Sequence, residues 1–232
     1  SSNFTLTNNG TIWAGEQTAV DLSDATGTIT VTNNAGAIIA SGERMSNSHL
    51  HGVLDMSRVG SSGDTITIIN HGTIENVTRN FSIIDLNDMT SGAILNFTNT
   101  GTITQGSGAD AGGTGCKVGC SDYWGVVSGE GSTDEINFNN SGTMQSARRI
   151  FRLGGSTNFT LTNSGTIKQD DYRYLGQSDS AAATGYSSTT IQVGTSGSGA
   201  TIINSGTISA SHQNHHAITI GDNDANEAHS NA

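Results

Sequence analysis

Three aspartates, Asp21, Asp55 and Asp85, each hold the third place of a four-residue apolar segment: AVDL (19–22), VLDM (53–56) and IIDL (83–86). Carboxylates that recur at one place of a repeated segment can be stacked by the fold. Stacked, they repel. Either a hard cation such as Ca²⁺ between them or solvation at an exposed face offsets that repulsion. Four further segments continue the series: VVSG (126–129), IFRL (150–153), TIQV (190–193) and AITI (217–220). The same place then holds Ser128, Arg152, Gln192 and Thr219. Carboxylates and an arginine on one outward strand face could also act as acid and base on a polysaccharide. Against this, Arg152 falls two segments after Asp85, on the order of 10 Å away at strand spacing. No carboxylate pair accompanies it.

Other groups could also do chemistry. Cys116 and Cys120 stand four residues apart in GCKVGC. They can close a small disulfide loop in an oxidising compartment, stay reduced, or join histidines in a metal site. His212, His215 and His216 in HQNHH offer imidazole ligands, but at no spacing specific to a metal. Tyr123, Trp124, Tyr172, Tyr174 and Tyr186 concentrate the scarce aromatic residues in a few segments. Such rings suit a recognition face, or they pack their own loops onto the body of the protein.

Whatever positions these groups is a repeat. Seven phrases align: FTLTNNGTI (4–12), ITVTNNAGAI (29–38), ITIINHGTI (66–74), LNFTNTGTI (95–103), INFNNSGTM (136–144), FTLTNSGTI (159–167) and ATIINSGTI (200–208). Each begins with two alternate apolar residues, the period of a strand with one buried face. An asparagine follows in the same phase: Asn8, Asn33, Asn70, Asn99, Asn140, Asn163 and Asn204. Buried singly it would be costly. Stacked as a column, each side-chain amide can donate to the next. A glycine comes next: Gly10, Gly36, Gly72, Gly101, Gly142, Gly165 and Gly206. Glycine suits a turn that needs positive φ. The second phrase carries one extra residue, Ala35, so strand phase selects Asn33 over its rival Asn34.

The shortest interval between successive asparagines, 23 residues, leaves room for three short strands with turns. A propeller blade needs about 40 residues and four strands. The sequence therefore predicts an all-β fold: a single parallel, right-handed β-helix of about seven rungs, three short strands each. The rungs fall near 3–22, 28–56, 65–86, 93–129, 135–153, 158–193 and 200–220, with 221–232 a polar tail or rung connector. Long loops near 39–50, 104–123, 168–188 and 209–215 leave one corner and carry the aromatic, cysteine and histidine residues. A second outward column, Ala19, Val53, Ile83, Val126, Ile150, Thr190 and Ala217, predicts an apolar stripe, covered by loops or used as a contact face.

Composition agrees with a thin-cored solenoid. Only 33% of the 232 residues are hydrophobic and 12% charged; glycine numbers 31 and proline is absent. The net charge of −11 argues against nucleic acid and anionic membranes. No stretch is apolar enough for a helix to span a bilayer, so direct membrane insertion is not expected. The chain opens on a strand-like segment, so an exported protein would be represented here by a mature or excised form.

The NSGTI-type rungs on a Thr/Asn-rich, proline-free chain resemble the β-helical passenger regions of bacterial autotransporters and related haemagglutinin-like adhesins. The resemblance covers nearly the whole chain. Its motif is structural, so it names no ligand. It implies a secreted or cell-surface location and a non-enzymatic adhesive or fibre-forming role. The partner would be a host or neighbouring cell surface, a glycan among the candidates, or a further copy of the chain stacked head to tail. The alternative is a pectate-lyase-like β-helix enzyme using the acidic strand face. No cofactor is called for beyond the Ca²⁺ that the aspartate column could take.

Overall fold

The structure, a computed structural model, describes residues 3–15, 18–42, 52–76, 82–87, 89, 92–105, 125–129, 135–146, 149–154, 158–169, 189–194, 199–210 and 216–220. Three parallel sheets of seven strands each run the length of the molecule, and consecutive strands of one sheet come from consecutive rungs. The first sheet contains Phe4–Asn8, Ile29–Asn33, Thr65–Asn70, Ile94–Asn99, Glu135–Asn140, Asn158–Asn163 and Ala200–Asn204. The second contains Thr11–Ala14, Ile38–Ser41, Thr73–Asn76, Thr102–Gln105, Thr143–Ser146, Thr166–Gln169 and Thr207–Ala210. The third contains Val20–Asp21, Leu54–Asp55, Ile84–Asp85, Val127–Gly129, Phe151–Leu153, Ile191–Val193 and Ile218–Ile220. This is the predicted parallel β-helix. No helix among the described residues is long and apolar enough to cross a membrane.

The strands form where β-branched and aromatic residues alternate with Thr and Asn, the composition that fits a half-buried pleated surface. In Thr65–Asn70, burial alternates residue by residue, with Ile66, Ile68 and Asn70 inside. Register keeps like on like: Leu6 opposes Val31, Val31 opposes Ile68, and Phe97 opposes both Ile68 and Phe138. A one-residue slip would turn every such column to solvent. The large buried rings, Phe97, Phe138, Phe151 and Phe159, lie in the fourth to sixth rungs. Phe97 and Phe138 stack at 4.5 Å between centroids, Phe138 meets Phe151 edge-on at 4.9 Å, and Phe151 contacts Phe159 at 5.4 Å. Each ring fully buried contributes about 1.5–3 kcal/mol, with about 0.5–1.5 kcal/mol more for an aromatic pair.

One expectation is corrected here. The second-sheet strands run further than the phrase suggests, through Ser41, Gln105, Gln169 and Ala210. The connections to the third sheet therefore begin at 42, 106, 170 and 211. Those connections differ greatly in length: 42–53, 106–126 and 170–190 are long, while 147–150 is short. The apolar stripe, expected to be either covered or a contact face, is covered in the middle rungs. Val53, Ile83, Val126, Ile150 and Thr190 are fully buried by the chain's own polypeptide. A period of two shows which residues share a face. It carries no information on whether another segment packs over that face.

Candidate functional site

The asparagines meet at the corner between the first and second sheets. Each donates its Nδ2 to the Oδ1 of the next rung: Asn8 to Asn33 at 2.9 Å, Asn33 to Asn70 at 2.9 Å, Asn70 to Asn99 at 2.8 Å, and Asn99 to Asn140, Asn140 to Asn163 and Asn163 to Asn204 at 2.7 Å each. A further approach from Nδ2 reaches a second-sheet carbonyl of the next rung, such as Asn70 to Thr102 O at 3.2 Å. All six bonds run in one direction, because turning a single amide would set N against N and O against O. Asn8 through Asn163 are buried, whereas Asn204 is exposed. Asn34 is outside this column and donates to Asn9 Oδ1 at the surface, at 2.6 Å.

The glycines beside the ladder correct a prediction. Of the seven, only Gly36 has positive φ, at +80°. Five of the others are required by proximity, while a Cβ at Gly10 would meet nothing within 4 Å. A Cβ at Gly72 would lie 2.2 Å from Ala37 O, and at Gly101, Gly142, Gly165 or Gly206 it would lie 2.1 Å from the carbonyl oxygen of the preceding glycine in the column. Gly36 itself is not in the column. It is the third residue of the turn Asn34–Ala37, closed by Ala37 N donating to Asn34 O at 2.9 Å, where positive φ favours glycine. Ala37 takes the stacked place, accepting from Thr73 N at 2.9 Å as Gly72 O accepts from Thr102 N. The extra residue Ala35 creates this detour.

A second polar column was not anticipated. Ser41, Asn76, Gln105, Ser146 and Gln169 are buried at the end of the second-sheet strands. Ser146 Oγ donates to Gln105 Oε1 at 2.7 Å, and Thr190 Oγ1 to Gln169 Oε1 at 3.2 Å. The signal was available: each residue follows the buried Ile or Met of its phrase by two positions, in the same strand phase.

On the third sheet, Asp21, Asp55 and Asp85 do share one column, Asp21 opposite Asp55 and Asp55 opposite Asp85. Each is a turn-forming residue. Asp21 Oδ1 accepts from Ser23 N at 2.9 Å, Asp55 Oδ1 from Ser57 N at 2.9 Å, and Asp85 Oδ1 from Asn87 N at 3.0 Å and Asn87 Nδ2 at 2.6 Å. This local bond from a side chain to the backbone two residues on closes the strand into a turn. The face expected to be open is covered, with Asp55 1% and Asp85 3% exposed; Asp21, in the first rung, is exposed. Arg152 is also buried and stands two rungs from Asp85, with Ser128 between them. No three His, Cys, Asp or Glu side chains among the described residues form a metal-ligand set. Beside this column Arg58 reaches Asp24 of the neighbouring rung with two bonds of 2.9 and 3.1 Å. The Arg58 hydrogen bond and charge hold the Asp24 carboxyl below its ordinary value, outweighing its slight desolvation.

The turn assignment makes a specific prediction. Asp85→Ala removes a buried acceptor from Asn87 N and lowers the unfolding free energy by about 1–3 kcal/mol. Asp85→Asn, which keeps the acceptor oxygen, recovers most of that. Added Ca²⁺ leaves the thermal midpoint of the unmodified protein unmoved. Urea titrations and melts with and without Ca²⁺ check this, and a Ca²⁺-dependent rise would return the column to a cation site.

Cys116, Cys120, Tyr123, Trp124, Tyr172, Tyr174, Tyr186, His212 and His215 lie outside the described residues. His216 is exposed two residues before the last third-sheet strand, and its carbonyl accepts from Thr190 N at 3.0 Å. No protein family, curated protein or solved structure matches the chain.

Proposed function

We propose that this chain is a non-enzymatic β-solenoid scaffold of the bacterial surface-adhesin type, secreted or held at the cell surface. It presents a loop-rich face to a host or neighbouring cell, with a surface glycan as the ligand class. The observation that carries this reading is where the polar side chains go. The asparagine column is consumed in the ladder, and Asp55 and Asp85 are buried in turn caps. A catalytic acid must reach its substrate, and these two do not face solvent. What varies is the set of connections 42–53, 106–126 and 170–190, all leaving the second sheet for the third at the same corner. Variable connections on a rigid repeat are where solenoids place recognition, and two of these contain Tyr123, Trp124, Tyr172, Tyr174 and Tyr186.

The test is binding of the labelled full chain to a glycan array and to intact cells. Saturable binding is expected, lost on combined Tyr172→Ala, Tyr174→Ala and Trp124→Ala substitution with an unchanged circular dichroism spectrum. Absence of binding, or cleavage of a uronic-acid polymer by the chain with or without Ca²⁺, overturns the reading.

A further inference from the structure

We propose that the outer face of the first sheet is an asparagine-glycosylation face, with Asn96, Asn139 and Asn158 of the fourth to sixth rungs as its acceptors. The sugar comes from a glycosyl phosphate donor and is transferred by an enzyme that reads Asn-x-Ser/Thr on the folded chain. The proposal is independent of the display reading, since it concerns another face of the rod and a sugar covalently attached to it.

Seven Asn-x-Ser/Thr triplets occur in the sequence, at Asn3, Asn9, Asn76, Asn80, Asn96, Asn139 and Asn158. The triplet is the acceptor pattern for sugar on a side-chain amide. None of them falls on a ladder asparagine, where the residue two places on is glycine, or Ala35 in the case of Asn33. A chain so rich in Asn, Ser and Thr forms the triplet by composition alone. Position in the fold is what distinguishes the three acceptors. In Ile94–Asn99 and Asn158–Asn163 the strand period turns Asn96 with Thr98, and Asn158 with Thr160, to the outer side. The residue between them, Phe97 or Phe159, is buried in the core. Asn139 is exposed on the same face, with the ladder residue Asn140 turned inward and Ser141 exposed beyond it. Asn76 carries the triplet but is 1% exposed, so the fold withholds it.

The amides of the acceptors are also free for substitution. Among the described residues no hydrogen bond uses the Nδ2 of Asn96, Asn139 or Asn158; Asn96 contributes only its Oδ1, to Asn137 Nδ2 at 3.2 Å. The ladder amides, by contrast, donate to the next rung. Transfer forms a bond from Nδ2 to the anomeric carbon of the sugar and breaks the bond from that carbon to the phosphate oxygen. The phosphate leaves with the electron pair, and Nδ2 releases one proton. The fold loses no hydrogen bond in the exchange. The face gains hydration, since Glu135 is the one charged residue in the seven strands of this sheet and attached sugar is bulky and solubilising. The long connections leave the second sheet for the third, so sugar on the first sheet does not occupy their corner.

The test is intact mass and site-resolved peptide mapping of the full chain isolated from the cells that make it. Increments of hexose or N-acetylhexosamine are expected at Asn96, Asn139 and Asn158, and none at Asn76 or at the ladder asparagines. Thr98→Ala is expected to remove the increment at Asn96, and Thr160→Ala the one at Asn158, with the circular dichroism spectrum unchanged. A chain in which all three asparagines are unmodified overturns the inference. So does sugar that persists at Asn96 and Asn158 in these two variants, because the triplet is then not what is read. Sugar on Asn76 overturns it as well, because the fold then does not select the acceptors.

Discussion

Gly142→Ala will lower the stability of the rod by about 3 kcal/mol or more, as will the same change at Gly101, Gly165 or Gly206, where the clash is equally close. The added Cβ would stand 2.1 Å from Gly101 O, 2.7 Å from Thr100 C and 2.9 Å from Gly101 N. All three are backbone atoms, so no side chain can swing aside. Relief requires the fourth and fifth rungs to separate, which lengthens the Gly142 N to Asn99 O and Thr143 N to Gly101 O bonds. For a chain of this size, each kcal/mol corresponds to about 2–4 °C in midpoint. A loss of about 6–12 °C should be read by circular dichroism on the monomer. Because a solenoid couples each rung only to its neighbours, the break also separates rungs one to four from five to seven. The denaturant slope should fall as the transition broadens. Gly10→Ala is the control. With nothing within 4 Å of its Cβ and no positive φ, it should stay within about 0.5 kcal/mol of wild type. Equal losses at the two positions would sink the steric account of the column.

Asn99→Leu is expected to cost about 2–5 kcal/mol. The change keeps the approximate volume and removes both roles of the amide. Asn70 Nδ2 loses its acceptor at 2.8 Å and Asn140 Oδ1 loses its donor at 2.7 Å. Asn70 Nδ2 keeps its longer approaches to Gly72 O at 3.3 Å and Thr102 O at 3.2 Å, so its lost bond costs about 0.5–1.5 kcal/mol, whereas the buried Asn140 Oδ1 left without that donor costs about 1–3 kcal/mol. Asn204→Leu disturbs one partner at an exposed end and should cost less than about 1 kcal/mol in the monomer. Asn99→Asp separates shape from chemistry. One carboxylate oxygen still accepts from Asn70, but the other faces Asn140 Oδ1 and repels it. The deficit should shrink in acid, where a protonated carboxyl can donate to Asn140, and grow as pH rises. A deficit for Asn99→Asp that does not depend on pH, or equal costs for Asn99→Leu and Asn204→Leu, would count against the ladder as the source of the stability.

Much of this architecture was legible because its cause is local and repeated. Leu6, Val31, Ile68 and Phe97 recur in one phase with an asparagine two residues on, and seven repetitions specify register as well as element type. Asn33 could be preferred to Asn34 on phase alone, and Asn33 is the residue in the ladder. The reason for the glycines was not legible. A turn needing positive φ and a Cβ striking a neighbouring carbonyl both select glycine. Only the stacked rungs distinguish them. The displaced Gly36, with Ala37 in its place, is a consequence of that ambiguity. The buried column of Asn76, Gln105, Ser146 and Gln169 was missed because its residue types vary from rung to rung, so the repeat did not mark it.

By itself, then, the sequence determined the properties that depend on neighbours along the chain: strand period, the asparagine corner, the number of rungs and the position of long connections. The tertiary structure decided what depends on residues brought together across rungs. It covered the acidic column of Asp55 and Asp85 and turned each carboxylate onto its own backbone. It also gave the two ends of the ladder opposite hydrogen-bonding polarity. The physical reason is the same in each case. Hydrogen bonds and steric contacts across a rung spacing of about 4.8 Å are made between residues tens of positions apart, and no local pattern records which atoms will meet there.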